Sequence, residues 1–88
     1  MSVLVQFVAK VPDVDRVVAA AKKFEADNVR LGARNPQVFE DENEPGTVAM
    51  MSEWDSHDVA HAAMEELGPG FTEAAGEHEW VTHMWRQK

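Results

Sequence analysis

His57 and His61 have the spacing in this chain that most resembles a metal site. Two imidazoles four residues apart on a helix can share one ion. The usual helical zinc motif has Glu directly after its first His, whereas this chain has Asp58. A third ligand, such as Glu65, would also have to come near. We therefore predict no metal site: the pair marks the edge of an apolar helix face, or His61 forms part of a pocket wall with a catalytic role.

Glu25 and Asn28 are the next candidates, because they interrupt the apolar stripe of a predicted helix. Polar groups on such a stripe must be paired or must face a cavity. The two residues are about one helical turn apart, so they could contact one ligand, with Asn28 as a catalytic residue. The alternative is that they lie where the helix frays near its end.

His83 lies in the middle of a predicted strand, with Val81 and Trp85 on the same face. An unperturbed imidazole titrates near pH ~6.5, so His83 is a candidate proton shuttle and catalytic residue. The alternative is a hydrogen-bonded histidine in the core or in an interface.

Large apolar side chains could line a ligand cavity or simply fill the core. These candidate ligand-binding residues are Phe24, Trp54, Met64, Phe71 and Trp80.

Composition excludes several classes of function. The 88 residues predict one domain spanning residues 1–88. The absence of cysteine excludes disulfides, thiolate metal sites and cysteine nucleophiles, and a formal net charge of -8 argues against nucleic acid as a partner. The N-terminal apolar run is too short to span a membrane, so we expect a cytoplasmic protein with no membrane partner.

Periodicity and turn signals predict six elements. Alternating apolar residues indicate strands, while Asp13 and Ser56 are typical N-caps of helices. Pro45 and Gly46 suit the two central positions of a hairpin turn. The predicted order is a strand over 3–11, a helix over 14–31 ending at Gly32, hairpin strands over 36–41 and 47–54, a second helix ended by residues 68–70, and a last strand starting near His78.

This element order predicts an α+β, ferredoxin-like βαββαβ fold with a four-stranded antiparallel sheet and two helices on one face. The first and last strands place apolar side chains on both of their faces. A water-exposed sheet face would not need Leu4, Val8 and a tryptophan. We therefore predict a homodimer in which the open faces of two sheets pack together.

The stretches "AKVPD" and "ARNPQVFEDENEPGTVAMMSEWDSHDVAHAAM" cover much of the chain. They resemble the dimeric α+β barrel superfamily, and within it the antibiotic biosynthesis monooxygenase-like domains. The resemblance implies a pocket in each subunit between helices and sheet. Members of the superfamily include cofactor-independent monooxygenases of polycyclic aromatic compounds, haem-degrading enzymes, isomerases and lyases.

The haem-degrading relatives use an Asn on the first strand and a Trp in the second helix. This chain has Phe7 and Ala62 near those positions, so we predict no haem and no other cofactor. The resemblance favours a homodimer that binds a hydrophobic or aromatic small molecule and acts as a cofactor-independent monooxygenase. Two alternatives remain: a non-catalytic module for ligand binding or dimerisation, which the absence of tyrosine favours, and an isomerase or cyclase using a pocket histidine.

Overall fold

The computed structural model describes residues 2–88. Four strands and three helical segments form two layers, a sheet with helices packed on one of its faces. In chain order the elements are β1 (Val3–Lys10), α1 (Val14–Lys23), α2 (Glu25–Leu31), β2 (Arg34–Glu40), β3 (Thr47–Trp54), α3 (His57–Ala75) and β4 (Val81–Arg86).

The sheet is antiparallel, with the strand order β2-β3-β1-β4. The predicted ferredoxin-like α+β fold is therefore confirmed. Strand periodicity places alternate side chains on opposite faces. Val5 of β1 is opposite Ser52 of β3, and both lie on the helix-covered face. The neighbouring pair, Gln6 and Met51, lies on the open face.

The predicted first helix is interrupted, so its prediction as one continuous element was wrong. Phe24 separates α1 from α2 with backbone angles of φ -93° and ψ 1°. Its carbonyl oxygen accepts two hydrogen bonds from Asn28, one from the backbone N–H and one from Nδ2, both at 3.0 Å. An Asn side chain that bonds to the carbonyl four residues earlier competes with regular helix geometry and bends the chain.

The prediction that residues 68–70 end the second helix was also wrong. Helix α3 continues through Pro69 as far as Ala75, which is buried. A proline inside a helix costs about 3 kcal/mol, because it removes one backbone donor and crowds the preceding turn. Packing of Phe71 and Ala75 into the core on the far side of Pro69 offsets that cost. The helix ends at Gly76, where φ is 91°.

The capping and turn signals were read correctly, and the limits of the first three strands were predicted to within two residues. Asp13 caps α1 by accepting from the Arg16 N–H, and Ser56 caps α3 by accepting from the Val59 N–H. Gly46 has a φ of 95°, as the third residue of a Pro-Gly turn requires. The last strand starts at Val81, three residues later than predicted.

The two faces of the sheet differ sharply in burial. The helix-covered face contributes the core residues Val3, Val5, Ala9, Val48 and Trp54. On the open face, Trp85 is 53% exposed and Val81 56% exposed. Phe39, opposite Ala49 on the same face, is 46% exposed. No helix within residues 2–88 is both long and apolar enough to cross a bilayer.

Candidate functional site

A cavity of about 640 Å³ lies between the helices and the strands β1, β2 and β3. Its size falls within the usual range of small-molecule sites. Most of its wall is apolar, as such sites require. The large side chains that line it on the helix-covered side of the sheet are Phe7, Phe24, Met50, Met64, Leu67, Phe71 and Trp80.

Four aromatic rings of this wall contact one another in series. The ring centroids of Phe24 and Phe71 are 6.2 Å apart, those of Phe71 and Trp80 6.3 Å, and those of Trp80 and Phe7 6.5 Å. Edge-to-face and tilted arrangements at these distances are favourable. Phe24, Phe71 and Trp80 were predicted from the sequence as ligand-binding candidates, whereas Phe7 was named there only near the position of the Asn of the haem-degrading relatives. The series supplies a surface suited to a flat, apolar ligand.

The predicted polar pair on the first helix lies at this cavity. Both Glu25 and Asn28 line it, at the start and in the middle of α2. The Asn28 side chain is partly buried, and its Nδ2 donates to the Phe24 carbonyl oxygen. A carbonyl oxygen can only accept, so this bond fixes the amide orientation and leaves Oδ1 as an acceptor. The only ionisable side chains lining the cavity within residues 2–88 are Glu25 and Lys22.

Ser52 lines the cavity from β3 and was missed by the sequence interpretation. Its Oγ accepts a hydrogen bond of 2.8 Å from Nε1 of Trp54. Trp54 is only 3% exposed and lies behind the wall, packed with Val3 and Ala60 in the core. The alternation of β3 could have predicted this position, because a serine two residues before a buried tryptophan lies on the same face of the strand and so faces the helices.

The predicted histidines lie away from the cavity. His61 is exposed on α3, where its ring stacks on His57 at a centroid distance of 5.9 Å and its Nε2 lies 3.2 Å from Glu65 Oε1. His83 pairs with Gln6 on the open face and stacks on Trp85 at 5.2 Å. Within the described residues, no group of three side chains is arranged to hold a metal ion. The structure therefore brings together Phe24, Glu25, Asn28, Met64, Phe71 and Trp80, but not Trp54, His61 or His83.

No protein-family model matches this sequence, and neither does any curated protein. Solved structures match over nearly the whole chain. A Bordetella bronchiseptica protein, provisionally described as an antibiotic biosynthesis monooxygenase, superposes with a TM-score of 0.85 at 10% identity, covering 99% of this chain and 97% of that one. A conserved Methanosarcina mazei protein gives a TM-score of 0.80 at 17% identity, with coverages of 100% and 94%.

A third similar structure is SnoaB of Streptomyces nogalater, a cofactor-independent oxygenase. It gives a TM-score of 0.77 at 12% identity, covering 99% of this chain and 92% of that one. Identities this low establish the shared fold alone. The chain therefore has the same ferredoxin-like fold as solved antibiotic biosynthesis monooxygenase structures, which confirms the fold that the sequence resemblance implied.

Proposed function

We propose that this protein is a homodimer that binds a hydrophobic, aromatic small molecule in the cavity of each subunit. The observation that carries the proposal is the 640 Å³ cavity with its series of four aromatic rings. Such a wall favours a flat ring system, since aromatic contacts add about 0.5–1.5 kcal/mol each beyond the burial of area. The few polar groups among the rings would orient the ligand.

The open face of the sheet supports the homodimer. Trp85, Val81 and Phe39 are each about half exposed on that face, and Leu4 is 36% exposed beside them. Burying a large apolar side chain contributes about 1.5–3 kcal/mol, so a second copy packed on this face would stabilise a chain of 88 residues considerably. His83, stacked on Trp85, would then be an interface residue.

The reaction we propose is oxygenation of the bound compound by O₂ without a cofactor. Such a reaction requires a substrate with an acidic C–H bond, because the carbanion left by proton removal is electron-rich enough to reduce O₂. A ring CH₂ group would become a carbonyl group, with one O₂ consumed and one water released. SnoaB, described as a cofactor-independent oxygenase, supports this reaction class through its similar fold.

Glu25 and Asn28 are the cavity residues suited to this chemistry. The Glu25 carboxylate can accept the C–H proton, and Asn28 Oδ1 can accept a hydrogen bond that orients the substrate. A ligand packed against the aromatic rings would be shielded from water on that side, which would slow protonation of the carbanion. The roles first predicted for His61 and His83 would require a cavity histidine, and the lining residues of the described chain include none.

A non-catalytic ligand-binding module is the second candidate. Within residues 2–88, Glu25 and Lys22 are the only ionisable groups that line the cavity, and a site with so few acids and bases can bind a ligand without converting it. Oxygen uptake with anthrone separates the two candidates. Anthrone and O₂ give anthraquinone and water, so the protein should increase uptake above the spontaneous rate, and Glu25→Gln should remove the increase. If the protein binds anthrone but does not increase oxygen uptake, the non-catalytic ligand-binding module is the correct candidate.

A variant with a filled cavity provides the control for both measurements. Gly68 lines the cavity, and a Cβ atom built there would meet nothing within 4 Å. Gly68→Phe should therefore occupy ligand space without a backbone clash. If ligand binding or oxygen uptake is unchanged in Gly68→Phe, that binding or uptake takes place at another surface of the protein, which would contradict the proposal.

A further inference from the structure

The hydrogen bond between Trp54 and Ser52 determines what the serine can offer to a ligand. An indole N–H can only donate, so Ser52 Oγ must accept the 2.8 Å bond from Trp54 Nε1. A hydroxyl group has one hydrogen to donate in addition to its two lone pairs. The Ser52 hydroxyl makes no other hydrogen bond within residues 2–88, so its hydrogen remains free. Ser52 thus presents a donor in the wall of the cavity.

Trp54 holds the Ser52 hydroxyl in a defined position. The indole is almost wholly buried, in a cluster with Val3, Ala60 and Ala63. Gly32 approaches it closely, since a Cβ atom there would lie 3.8 Å from Trp54 Cε3. A side chain so enclosed has little freedom to move, so the bond to Ser52 is made before any ligand arrives. A donor fixed in advance binds an acceptor with a smaller loss of conformational entropy.

Asn28, on α2, supplies the complementary group in the same cavity. Its bond to the Phe24 carbonyl oxygen leaves Oδ1 able to accept. The cavity therefore has a fixed donor on β3 and a fixed acceptor on α2, both within a wall of aromatic side chains. A bare hydrocarbon would leave these two polar groups without partners, which disfavours its binding.

We propose that Ser52 is a specificity-determining residue, which donates a hydrogen bond to a carbonyl oxygen on the aromatic ligand. Trp54 is a positioning residue, which acts through Ser52 without touching the ligand. This inference rests on the proposed function, because it concerns a ligand in the same cavity. It identifies the ligand as an aromatic ketone or a related compound with an acceptor oxygen on its ring system.

The test compares 9-fluorenone with fluorene, which have the same ring skeleton and differ by one carbonyl oxygen. Their dissociation constants are measured by titration, with quenching of tryptophan fluorescence as the signal. A neutral hydrogen bond contributes enough to bind fluorenone about 2- to 12-fold more tightly than fluorene. Ser52→Ala should bring this ratio close to one, mainly by weakening fluorenone binding. Ser52→Thr, which keeps the hydroxyl group, should retain the preference.

Two further variants separate positioning from general damage. Trp54→Phe removes the donor to Ser52 and keeps an aromatic ring in the core, so it should weaken fluorenone binding and leave fluorene binding unchanged. Equal weakening of both ligands in Trp54→Phe would overturn the positioning role. Thr82→Ala, which removes a strand hydroxyl that does not line the cavity, should leave the ratio as in the wild type. A cooperative thermal transition verifies that each variant is folded.

The outcomes also distinguish this inference from the function on which it rests. Equal affinity of the wild type for the two ligands would overturn the role of Ser52 and leave the aromatic site intact. A preference for fluorenone that persists in Ser52→Ala would likewise overturn the role of Ser52 and leave the aromatic site intact. Failure of the wild type to bind either ligand would overturn both the inference and the proposed function.

Discussion

Two glycines on either side of Pro69 allow a matched test of how α3 shapes the cavity. Gly68 and Gly70 both lie inside the helix, so replacing either with alanine should gain about 0.5–1 kcal/mol of helix propensity. A Cβ atom at Gly68 would meet nothing within 4 Å. Gly68→Ala should therefore realise this gain and raise the melting temperature by roughly 2–8 °C.

Gly70→Ala should lose this gain to a steric conflict with Phe24. Its new Cβ atom would lie 3.2 Å from Phe24 Cζ and 3.4 Å from Cε1, closer than the 3.5–4.0 Å of an ordinary carbon contact. The ring must move by a few tenths of an ångström, against its packing with Phe71. Overpacking of this kind costs about 1–3 kcal/mol, so Gly70→Ala should be less stable than Gly68→Ala by about 1 kcal/mol or more.

Differential scanning calorimetry at one protein concentration provides the comparison, since the melting temperature of a dimer depends on concentration. Urea unfolding of the same variants gives the free energy of unfolding independently. Equal gains in stability for the two variants would refute the reasoning, because they would mean that the Phe24 ring does not pack against Gly70. A loss of stability in Gly68→Ala would show that the space at Gly68 is not open.

Three further predictions concern the open face and two local contacts. Trp85→Lys should convert the dimer to single chains in sedimentation velocity, while Val29→Lys, on α2 with a similar exposure of 52%, should leave the dimer intact. A dimer that survives Trp85→Lys would contradict the assigned interface. Ser56→Ala should lower the free energy of unfolding by about 1 kcal/mol, because the Val59 N–H loses its cap, and Ser56→Asp should restore it in urea unfolding. Arg34→Ala should change the same quantity by less than about 1 kcal/mol, since the side chain of its partner Asp55 is 83% exposed, and a larger loss would show that the ion pair is not screened by solvent.

The parts of the fold set by short-range rules were predictable from the sequence. The alternation in β1 puts Val3, Val5 and Ala9 on one face of the strand, and that face is buried. Asp13 and Ser56 act as caps through side chains that bond within three residues, so their local sequence was sufficient. The aromatic candidates Phe24 and Phe71 were predicted from their size and apolar character, and both line the cavity.

The errors arose where particular side-chain contacts overrode local propensity. Pro69 and its flanking glycines would end most helices, but burial of Phe71 and Ala75 keeps α3 continuous. The break at Phe24 depends on the Asn28 side chain bonding back to a backbone carbonyl, one of several partners open to an Asn. Ser52 was missed because its importance lies in a bond to Trp54, and composition does not reveal side-chain pairing.

Native mass spectrometry with added fluorene tests the central claim most directly, because one spectrum reports both assembly and occupancy. The wild type should appear as two chains carrying up to two fluorene molecules, one for each cavity. Gly68→Phe should appear as two chains without fluorene, since its new ring fills space that is open beside Gly68. Single chains in the wild-type spectrum would contradict the homodimer, and equal fluorene occupancy in the two proteins would contradict the cavity as the binding site.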